Sequence, residues 1–342
     1  DLKPEGPFGD HLGYYSKQHD FPYLRIRAVY HRRNAIWPFT VVGRPPQEDT
    51  VFGDLIHEIT RPAVESRIPG VRQIHAVDVA GVHPLLLAVG SERYLPYAVR
   101  EPMEILTQAN ALLGFGQVSL SKYLFIAAQE DAPQLDARDI PHYLTHVLER
   151  LHFSRDLHFQ TSTTMDTLDY SGTSLHHGSK LVLACAGKPR RKLGHSEDHL
   201  TSLPLPPEFG DVRTILPGFL IVKGPPWIDQ SSASREVEKL CRFLAGWENR
   251  EEWPWITVVD DAEFAAKNLS NWLWVFATRS NPSHDLYGVK ATCEHKHWRC
   301  EPPLVVDARK KSHHAQALEE DPETTRRVDE WFSKKGPLAG FF

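Results

Sequence analysis

Two carboxylates near the start of the chain stand in a segment whose composition suits proton transfer. Glu5 and Asp10 lie five residues apart in EGPFGDHLGYY, with two glycines and one proline between them. Glycine permits positive φ and a close approach of the backbone to a ligand, and proline fixes the bend. Such a loop can direct both acids into one pocket, where carboxylates in different environments divide acid and base work. The alternative is a surface turn with two solvated acids.

A second group of chemical interest is the run CEHKHWRC, from Cys293 to Cys300. If this run is a strand, Cys293, His295 and His297 share one face and Cys300 folds back, and zinc prefers such nitrogen and sulfur ligands. The spacing matches no common zinc ribbon or finger, and ligands on one flat face do not converge easily. An ordinary strand with a polar face is therefore favoured, and zinc remains the alternative.

Other residues with chemical potential fit no known catalytic pattern. His142 and His146 share a helical face, but no carboxylate completes an H-E-x-x-H motif. No G-x-S-x-G elbow, G-x-G-x-x-G turn or phosphate-binding loop occurs. Five tryptophans are predicted to form a core or a subunit interface rather than a ligand cage; they are Trp253, Trp255, Trp272, Trp274 and Trp331.

Composition excludes several classes of protein. The 342 residues are 41% hydrophobic and 24% charged, which is typical of a folded globular chain and not of a disordered one. A net charge of -5 gives no basic footprint for nucleic acid, and no apolar run is long enough to span a membrane. Four cysteines exclude a disulfide scaffold and favour a reducing, cytoplasmic setting. The chain opens at Asp1 without a secretory signal, directly before a dense motif, as if it began within a domain.

Hydrophobic periodicity predicts the elements that position these residues. Residues 21–31 alternate and residues 36–42 follow them, which predicts a two-stranded hairpin. Asp49 or Thr50 then begins a helix that Pro62 interrupts or restarts. Beyond it strands alternate with helices, the order typical of βαβ units with a parallel sheet.

The α/β part is predicted to consist of two related units. Residues 187–211 are rich in proline, glycine and charge and are interpreted as a linker, after which the strand–helix order starts again. An arginine stands six residues before an Asp-Leu pair in both halves, at Arg150 and at Arg279. We therefore predict a duplicated unit and three regions: 1–46, the end of a β-domain with the acid loop; 47–205, the first α/β unit; and 206–342, the second.

The segment EGPFGDHLGYYS resembles the active-site loop of the UbiD family of reversible decarboxylases, which use prenylated FMN. The resemblance continues through YLRIRAVYHRRNAIWPFTVVGRPPQED and, more loosely, through FIAAQED and VVDDAEFAAKNLSNWLWVFATRSNPSHDL. It implies the C-terminal part of a split β-barrel flavin domain followed by α/β units. The pattern is far more specific than a lone glycine motif.

The resemblance also implies roles for particular residues. Glu5 corresponds to an acid that pairs with an arginine beside the flavin, and Asp10 to the acid that gives a proton to the substrate carbon losing CO₂. Asp10 reaches one methylene less far than the Glu of some members. His11 follows directly and is expected to touch cofactor or substrate. No metal ligand is assigned to this chain, because the family binds Mn²⁺ or Mg²⁺, K⁺ and most of the flavin through residues upstream of the loop.

The expected activity is a carboxy-lyase acting on an aromatic or α,β-unsaturated acid, with quinone-precursor hydroxybenzoates as one substrate class and CO₂ as product or co-substrate. The flavin-domain segment that would hold the cofactor is missing upstream, so this polypeptide alone is predicted neither to hold flavin nor to turn over. The resemblance also implies a homo-oligomer in which the second unit makes contacts. The alternative is a non-catalytic assembly subunit that retains the fold. A nicotinamide-type Rossmann enzyme has only the βαβ pattern in its favour.

Overall fold

The segment with Asp10 and His11 connects two short strands at the start of the chain. In the computed structural model, which describes residues 1–38, 42–195, 200 and 202–340, β1 (Leu2–Glu5) pairs antiparallel with β2 (His19–Pro22). Residues 6–18 connect them and are called the acid loop below. The fold up to residue 22 is therefore a β-ribbon whose far end carries Asp10 and His11.

The hairpin predicted over residues 21–31 and 36–42 is wrong in its first strand. Residues 23–38 contain no strand, and residues 39–41 lie outside the described part of the chain. The alternating apolar side chains point into solvent, with Leu24 and Tyr30 each 94% exposed and Trp37 84% exposed. A strand needs a partner edge and a surface for its apolar face, and no described residue supplies either.

Helix α1 (Glu48–Arg67) connects this region to the α/β part. Its N-cap is Gln47, two to three residues before the predicted caps Asp49 and Thr50. The backbone N–H of Gln47 donates to Thr50 Oγ1 at 3.0 Å. Pro62 lies inside the helix without ending it. Val51 and Ile59, on its apolar face, are 73% and 69% exposed, so this helix also presents an uncovered hydrophobic surface.

The first α/β unit is built on a five-stranded sheet in the order β3-β4-β5-β7-β6. Strands β4, β5 and β7 are parallel, whereas the edge strands β3 and β6 are antiparallel to their neighbours. The predicted parallel sheet is thus mixed. The elements are β3 (Val71–Ala76), β4 (Leu85–Gly90), α2 (Glu104–Leu113), β5 (Tyr123–Ala128), α3 (Ile140–Arg150), β6 (Leu157–Thr164) and β7 (His177–Cys185).

The second unit has a sheet in the order β8-β9-β10-β12-β11, again with antiparallel edge strands. The stretch from Ala262 to Arg279 forms two helices, because Asn268 caps a new start. The elements are β8 (Gly210–Leu216), β9 (Phe219–Lys223), α4 (Gln230–Leu244), β10 (Trp255–Val259), α5 (Ala262–Ala266), α6 (Leu269–Arg279), α7 (Pro282–Asp285), β11 (Leu286–Glu294), β12 (His297–Asp307) and α8 (Pro322–Phe332).

The two sheets share one topology, since strand order and strand directions agree position by position. The repeated Asp-Leu pair also has one structural role. Asp156 Oδ2 accepts a hydrogen bond from the backbone N–H of His152 at 2.8 Å, and Asp285 Oδ2 accepts one from the backbone N–H of Asn281 at 2.6 Å. Each buried aspartate closes the turn that precedes the fourth strand of its unit. These features support the predicted duplication.

The two units share a continuous core. Tyr123 of the first unit hydrogen-bonds through its hydroxyl to Ser280 Oγ at 2.6 Å, and the Ser179 amide donates to Asn281 Oδ1 at 3.1 Å. Four of the five tryptophans, Trp253, Trp255, Trp272 and Trp274, are buried in the interior, whereas Trp331 on α8 is 50% exposed. The core interpretation is confirmed for those four, and they are not available for contacts with another protomer.

The CEHKHWRC run is a hairpin and not one strand. His295 and Lys296 form its two-residue turn at φ 49° and 65°, and Cys293 stands opposite Trp298 in the register. Cys300 is buried while Cys293 is exposed, so the four candidate ligands do not face one point. The zinc interpretation needed one straight strand through His295, but the chain turns back at His295 and Lys296.

Among the described residues, no helix is both long enough and apolar enough to cross a membrane.

Candidate active site

The acid loop is fastened to the second α/β unit through helix α6. Trp274 donates its indole N–H to the Leu12 carbonyl at 2.8 Å and stacks on Tyr14 with 4.9 Å between ring centroids. The Tyr14 hydroxyl lies 2.9 Å from Thr278 Oγ1. Leu12 and Tyr14 are buried in the main core cluster, so the loop is held by apolar packing as well as by hydrogen bonds.

Backbone bonds hold the same loop to the segment after β12. The Tyr15 amide donates to the Gln316 carbonyl at 2.8 Å, and the Leu318 amide donates to the Gly13 carbonyl at 3.0 Å. Gly13 has φ +83°, and a Cβ there would approach Arg44 Cα and Trp274 Nε1 at 3.0 Å each. Glycine is therefore required at this position by both backbone conformation and space.

Asp10 has one oxygen engaged and one exposed to the site. Its Oδ1 accepts from the His11 amide at 2.7 Å and lies 2.8 Å from His11 Nδ1. No described residue forms a hydrogen bond with its Oδ2. The two contacts with His11 hold the carboxyl in one rotamer. The side chain is 22% exposed, so it remains accessible to a ligand.

His11 lies between two carboxylates. Its Nε2 is 3.3 Å from Asp166 Oδ2, and that oxygen also accepts from His83 Nδ1 at 2.8 Å. The Leu168 amide donates to Asp166 Oδ1 at 2.9 Å. The structure thus brings together a continuous row of side chains, Asp10–His11–Asp166–His83, which we call the acid–histidine row.

The electrostatics of the row favour a cationic His11. Burial alone would lower the pKa of His11, but the hydrogen bonds and charges of Asp10 and Asp166 raise it from 6.5 to about 9. Burial would raise the pKa of Asp166, yet the neighbouring His11 and His83 rings and the charge of His11 hold it well below its usual range. The surroundings of His11 therefore favour the protonated form of its ring.

The row also contains the one cluster of potential metal ligands found among the described residues. His11, His83 and Asp166 offer ligand atoms that all lie within 4.8 Å of one another. A set of two histidines and a carboxylate suits several divalent metals. Within this group, His83 and Asp166 are joined by a hydrogen bond, whereas His11 Nε2 is buried without a hydrogen-bond partner in the described part of the chain.

Glu5 takes no part in this row. It ends β1, opposite His19 in the ribbon, and it is exposed. No described residue forms an ion pair with its carboxylate. Its predicted pairing with an arginine therefore stays a prediction about residues outside this chain.

The sequence predicts Asp10 and His11 as site residues, but it does not predict the residues that lie against them in the fold. His83 stands two residues before β4, after Gly81 at φ +104°, and Asp166 stands two residues after β6. The signal for Asp166 is the spacing Asp166-x-x-Asp169 in a turn after a strand, and the sequence pattern does not predict β6 itself. His83 has no local signal, because its role comes only from the fold.

The raised pKa of His11 predicts a pH-dependent stability. A group with a higher pKa in the folded state contributes stability that is fully present below its unfolded pKa and is lost as pH rises through the folded value. The contribution of His11 should therefore decline between pH 6.5 and about 9. The measurement is the melting temperature of the wild type minus that of His11→Gln, across this range. A difference that stays constant or grows with pH would contradict the assignment.

Two family models match this chain in sequence order. The Rift-related domain of 3-octaprenyl-4-hydroxybenzoate carboxy-lyase matches residues 1–45, and the C-terminal domain of the same enzyme matches residues 50–185. The acid loop therefore lies within the first of these domains, and His83 and Asp166 lie within the second. The acid–histidine row joins the two domains.

Among solved structures, a closed form of vanillic acid decarboxylase from Sedimentibacter hydroxybenzoicus is 19% identical, with a TM-score of 0.45 over 57% of this chain and 39% of that one. The UbiD-class enzyme HmfF from Pelotomaculum thermopropionicum, solved with FMN, is 18% identical, with a TM-score of 0.41 over 59% of this chain and 43% of that one.

Relatives in Chlamydia match nearly the whole chain. An uncharacterized protein of Chlamydia muridarum is 34% identical over 336 residues, which is 97% of this chain and 54% of that protein. A Chlamydia pneumoniae protein, named as a subunit of 4-hydroxybenzoate decarboxylase, is 35% identical over 328 residues, 96% of this chain and 52% of that protein. The chain spans about half the length of these curated relatives. From both domain matches and these relatives, we conclude that the chain belongs to the UbiD family.

Proposed function

We propose that the complete protein is a reversible carboxy-lyase that removes CO₂ from an aromatic or α,β-unsaturated carboxylic acid, with Asp10 as the proton donor. The matched domains are named for a hydroxybenzoate carboxy-lyase, and one relative along nearly the whole chain is named as part of a 4-hydroxybenzoate decarboxylase. A hydroxybenzoate is therefore the first substrate class to test.

The observation that carries this proposal is the state of the Asp10 carboxyl. One oxygen is fixed by two donors of His11, and the other is accessible and without a hydrogen bond from the described residues. A general acid needs this arrangement, because its proton must face the substrate while the group itself cannot rotate away. A solvated surface acid would have neither constraint.

The residues present fit one side of a prenylated FMN site. When bound, the flavin supplies an electron sink for the electrons that decarboxylation leaves on the substrate. Glu5 at the end of β1 and His11 on the acid loop are the residues of this chain that would contact it. Metal and phosphate contacts are assigned to the flavin domain, for which the exposed apolar side chains of residues 23–38 offer a packing surface.

The residues of this chain are proposed to transfer a proton to and from the substrate. Asp10 gives its proton to the substrate carbon from which CO₂ has departed, and in the reverse direction it takes that proton away. Glu5 is proposed to remain ionised beside an arginine and so to balance charge near the reacting atoms. His11 and the buried loop keep water from competing for the proton.

The test is production of the complete protein together with a supply of prenylated FMN, followed by a screen of hydroxybenzoates and cinnamate-type acids. We expect CO₂ release from at least one acid, and in D₂O one deuterium at the carbon that carried the carboxylate. A flavin-loaded protein that releases no CO₂ and exchanges no deuterium with any of them would contradict the lyase and favour an assembly subunit.

A further inference from the structure

We propose that His11, His83 and Asp166 bind a divalent transition metal such as Zn²⁺, which fastens the acid loop to the first α/β unit. This proposal goes beyond the decarboxylase function and does not rest on it. The three residues come from separate parts of the chain, since His11 lies on the acid loop, His83 before β4 and Asp166 after β6. A metal bound to them would hold the two matched domains together.

The first observation is a buried ring nitrogen without a partner. His11 Nε2 forms no hydrogen bond with any described residue, although Asp166 Oδ2 lies only 3.3 Å away. Buried polar atoms are nearly always hydrogen-bonded, and one that is not calls for a bound water or ion. A neutral imidazole with its lone pair on Nε2 offers such an ion a ligand.

The Asp10 carboxyl places the lone pair of His11 on this nitrogen. Asp10 Oδ1 lies 2.8 Å from His11 Nδ1, so in the neutral ring Nδ1 carries the hydrogen that is donated and Nε2 is free to bind a metal. Metal-binding histidines commonly donate their other N–H to a carboxylate, which fixes the orientation of the ring. Asp10 thus supports the metal ligand His11 without itself binding the metal.

The distances between the ligand atoms suit a single ion. Two ligands that each lie about 2.0–2.2 Å from zinc are about 2.8–3.6 Å from each other. Asp166 Oδ2 lies 3.3 Å from His11 Nε2 and 2.8 Å from His83 Nδ1, and the three residues offer ligand atoms that all lie within 4.8 Å of one another. A small rotation of the His83 ring, whose side chain is 24% exposed, completes the site and replaces its hydrogen bond to Asp166 by bonds from both residues to the metal.

The donor set determines the class of metal. Two imidazole nitrogens and one carboxylate oxygen suit Zn²⁺ and Fe²⁺, whereas Mg²⁺ and Ca²⁺ prefer oxygen ligands. Three protein ligands leave a further position for water. Asp10 and Asp166 place negative charge on two sides of the His11 ring, so that a cation is compensated here, and the metal takes the place of a proton on Nε2.

The test is titration of the complete protein, freed of metal by chelation, with Co²⁺ and then with Zn²⁺. We expect the wild type to take up one more equivalent of Co²⁺ than His83→Ala, with visible absorption from the bound ion, and Zn²⁺ to displace it. The affinity of the site should fall by more than about 100-fold in His83→Ala, because loss of an outer partner of a ligand alone costs about 10–100-fold. Metals held by the flavin-binding region are common to both proteins and cancel in the difference.

Two further variants separate metal binding from general damage. His83→Cys should restore binding and add a sulfur-to-Co²⁺ charge-transfer band, which a merely structural role of His83 would not produce. His158→Ala is the matched control, because His158 also faces another histidine, His297, with 5.5 Å between ring centroids, but belongs to no ligand cluster of the described chain. It should bind Co²⁺ as the wild type does.

Thermal unfolding gives a second readout, since a ligand that binds only the folded state stabilises it. Zn²⁺ should raise the melting temperatures of the wild type and of His158→Ala by several degrees more than that of His83→Ala. Equal uptake of Co²⁺ by the wild type and His83→Ala, or a folded His83→Cys variant without a charge-transfer band, would overturn the proposal. Neither readout uses CO₂ release, so the metal site and the proposed function can fail independently.

Discussion

Asp10→Asn is expected to lower kcat for CO₂ release by about 10²–10⁴-fold, the usual contribution of a general acid. The asparagine keeps the shape of the side chain and an oxygen that can accept from the His11 amide, but it carries no transferable proton. KM should change little, because the exposed oxygen of Asp10 acts on the reacting carbon and not on the body of the substrate. Steady-state kinetics of the flavin-loaded enzyme would measure both.

Two companion variants make this result interpretable. Asp20→Asn removes an exposed acid from β2 of the same ribbon and should leave kcat within about twofold, as expected for a solvated surface group. Asp10→Glu keeps the acid but extends it by one methylene, and should retain far more activity than Asp10→Asn. If Asp10→Asn turns over at the wild-type rate, another residue is the proton donor.

Lys122→Met is expected to cost about 3–5 kcal/mol of unfolding free energy, the largest loss of stability that we predict. Lys122 is 1% exposed, and its Nζ donates to Asp169 Oδ2 and to Ser171 Oγ at 2.7 Å each. Methionine fills the space of the side chain but leaves the Asp169 carboxylate buried without its counter-charge. Urea denaturation of wild type and variant gives the difference.

The matched control is Lys290→Met, because Lys290 is 59% exposed in its ion pair with Glu301 and such pairs contribute within about 1 kcal/mol. The double variant Lys122→Met/Asp169→Asn removes both buried charges and should recover part of the loss. If the unfolding free energy of Lys122→Met alone lies within about 1 kcal/mol of the wild-type value, the Lys122–Asp169 pair is not essential for stability. Asp169 shares its turn with Asp166, so loss of the pair should also loosen the acid–histidine row.

The sheets can be predicted from the sequence only in their centres. All six central strands are recognisable, since both faces are buried and the residues form continuous apolar runs, as in Tyr123–Ala128. In the two five-stranded sheets, the strands that the sequence pattern misses are the four edges, β3, β6, β8 and β11. Edge strands are partly exposed and mix polar with apolar residues, as LHFQTSTT does in β6, so their periodicity is weak.

The candidate site can also be predicted only in part, because some of its residues lie within one motif and others are distant in sequence. Asp10 and His11 can be found because they stand side by side in a specific motif. His83 and Asp166 cannot, because only the fold places them against His11. The hairpin over residues 21–31 fails for the opposite reason: its alternation is strong, but a strand also needs a partner edge, which no described residue provides.

The anchoring of the acid loop has a consequence for motion. Leu12 and Tyr14 are fastened to α6, and the Lys17 amide is bonded to the Tyr170 hydroxyl at 2.8 Å, so the loop is rigidly attached to the α/β body and not to the ribbon from which it projects. If a flavin-bearing domain swings relative to that body, the hinge must bend where β1 and β2 join the loop. Asp10 would then travel with the body and reach the reacting carbon only on closure.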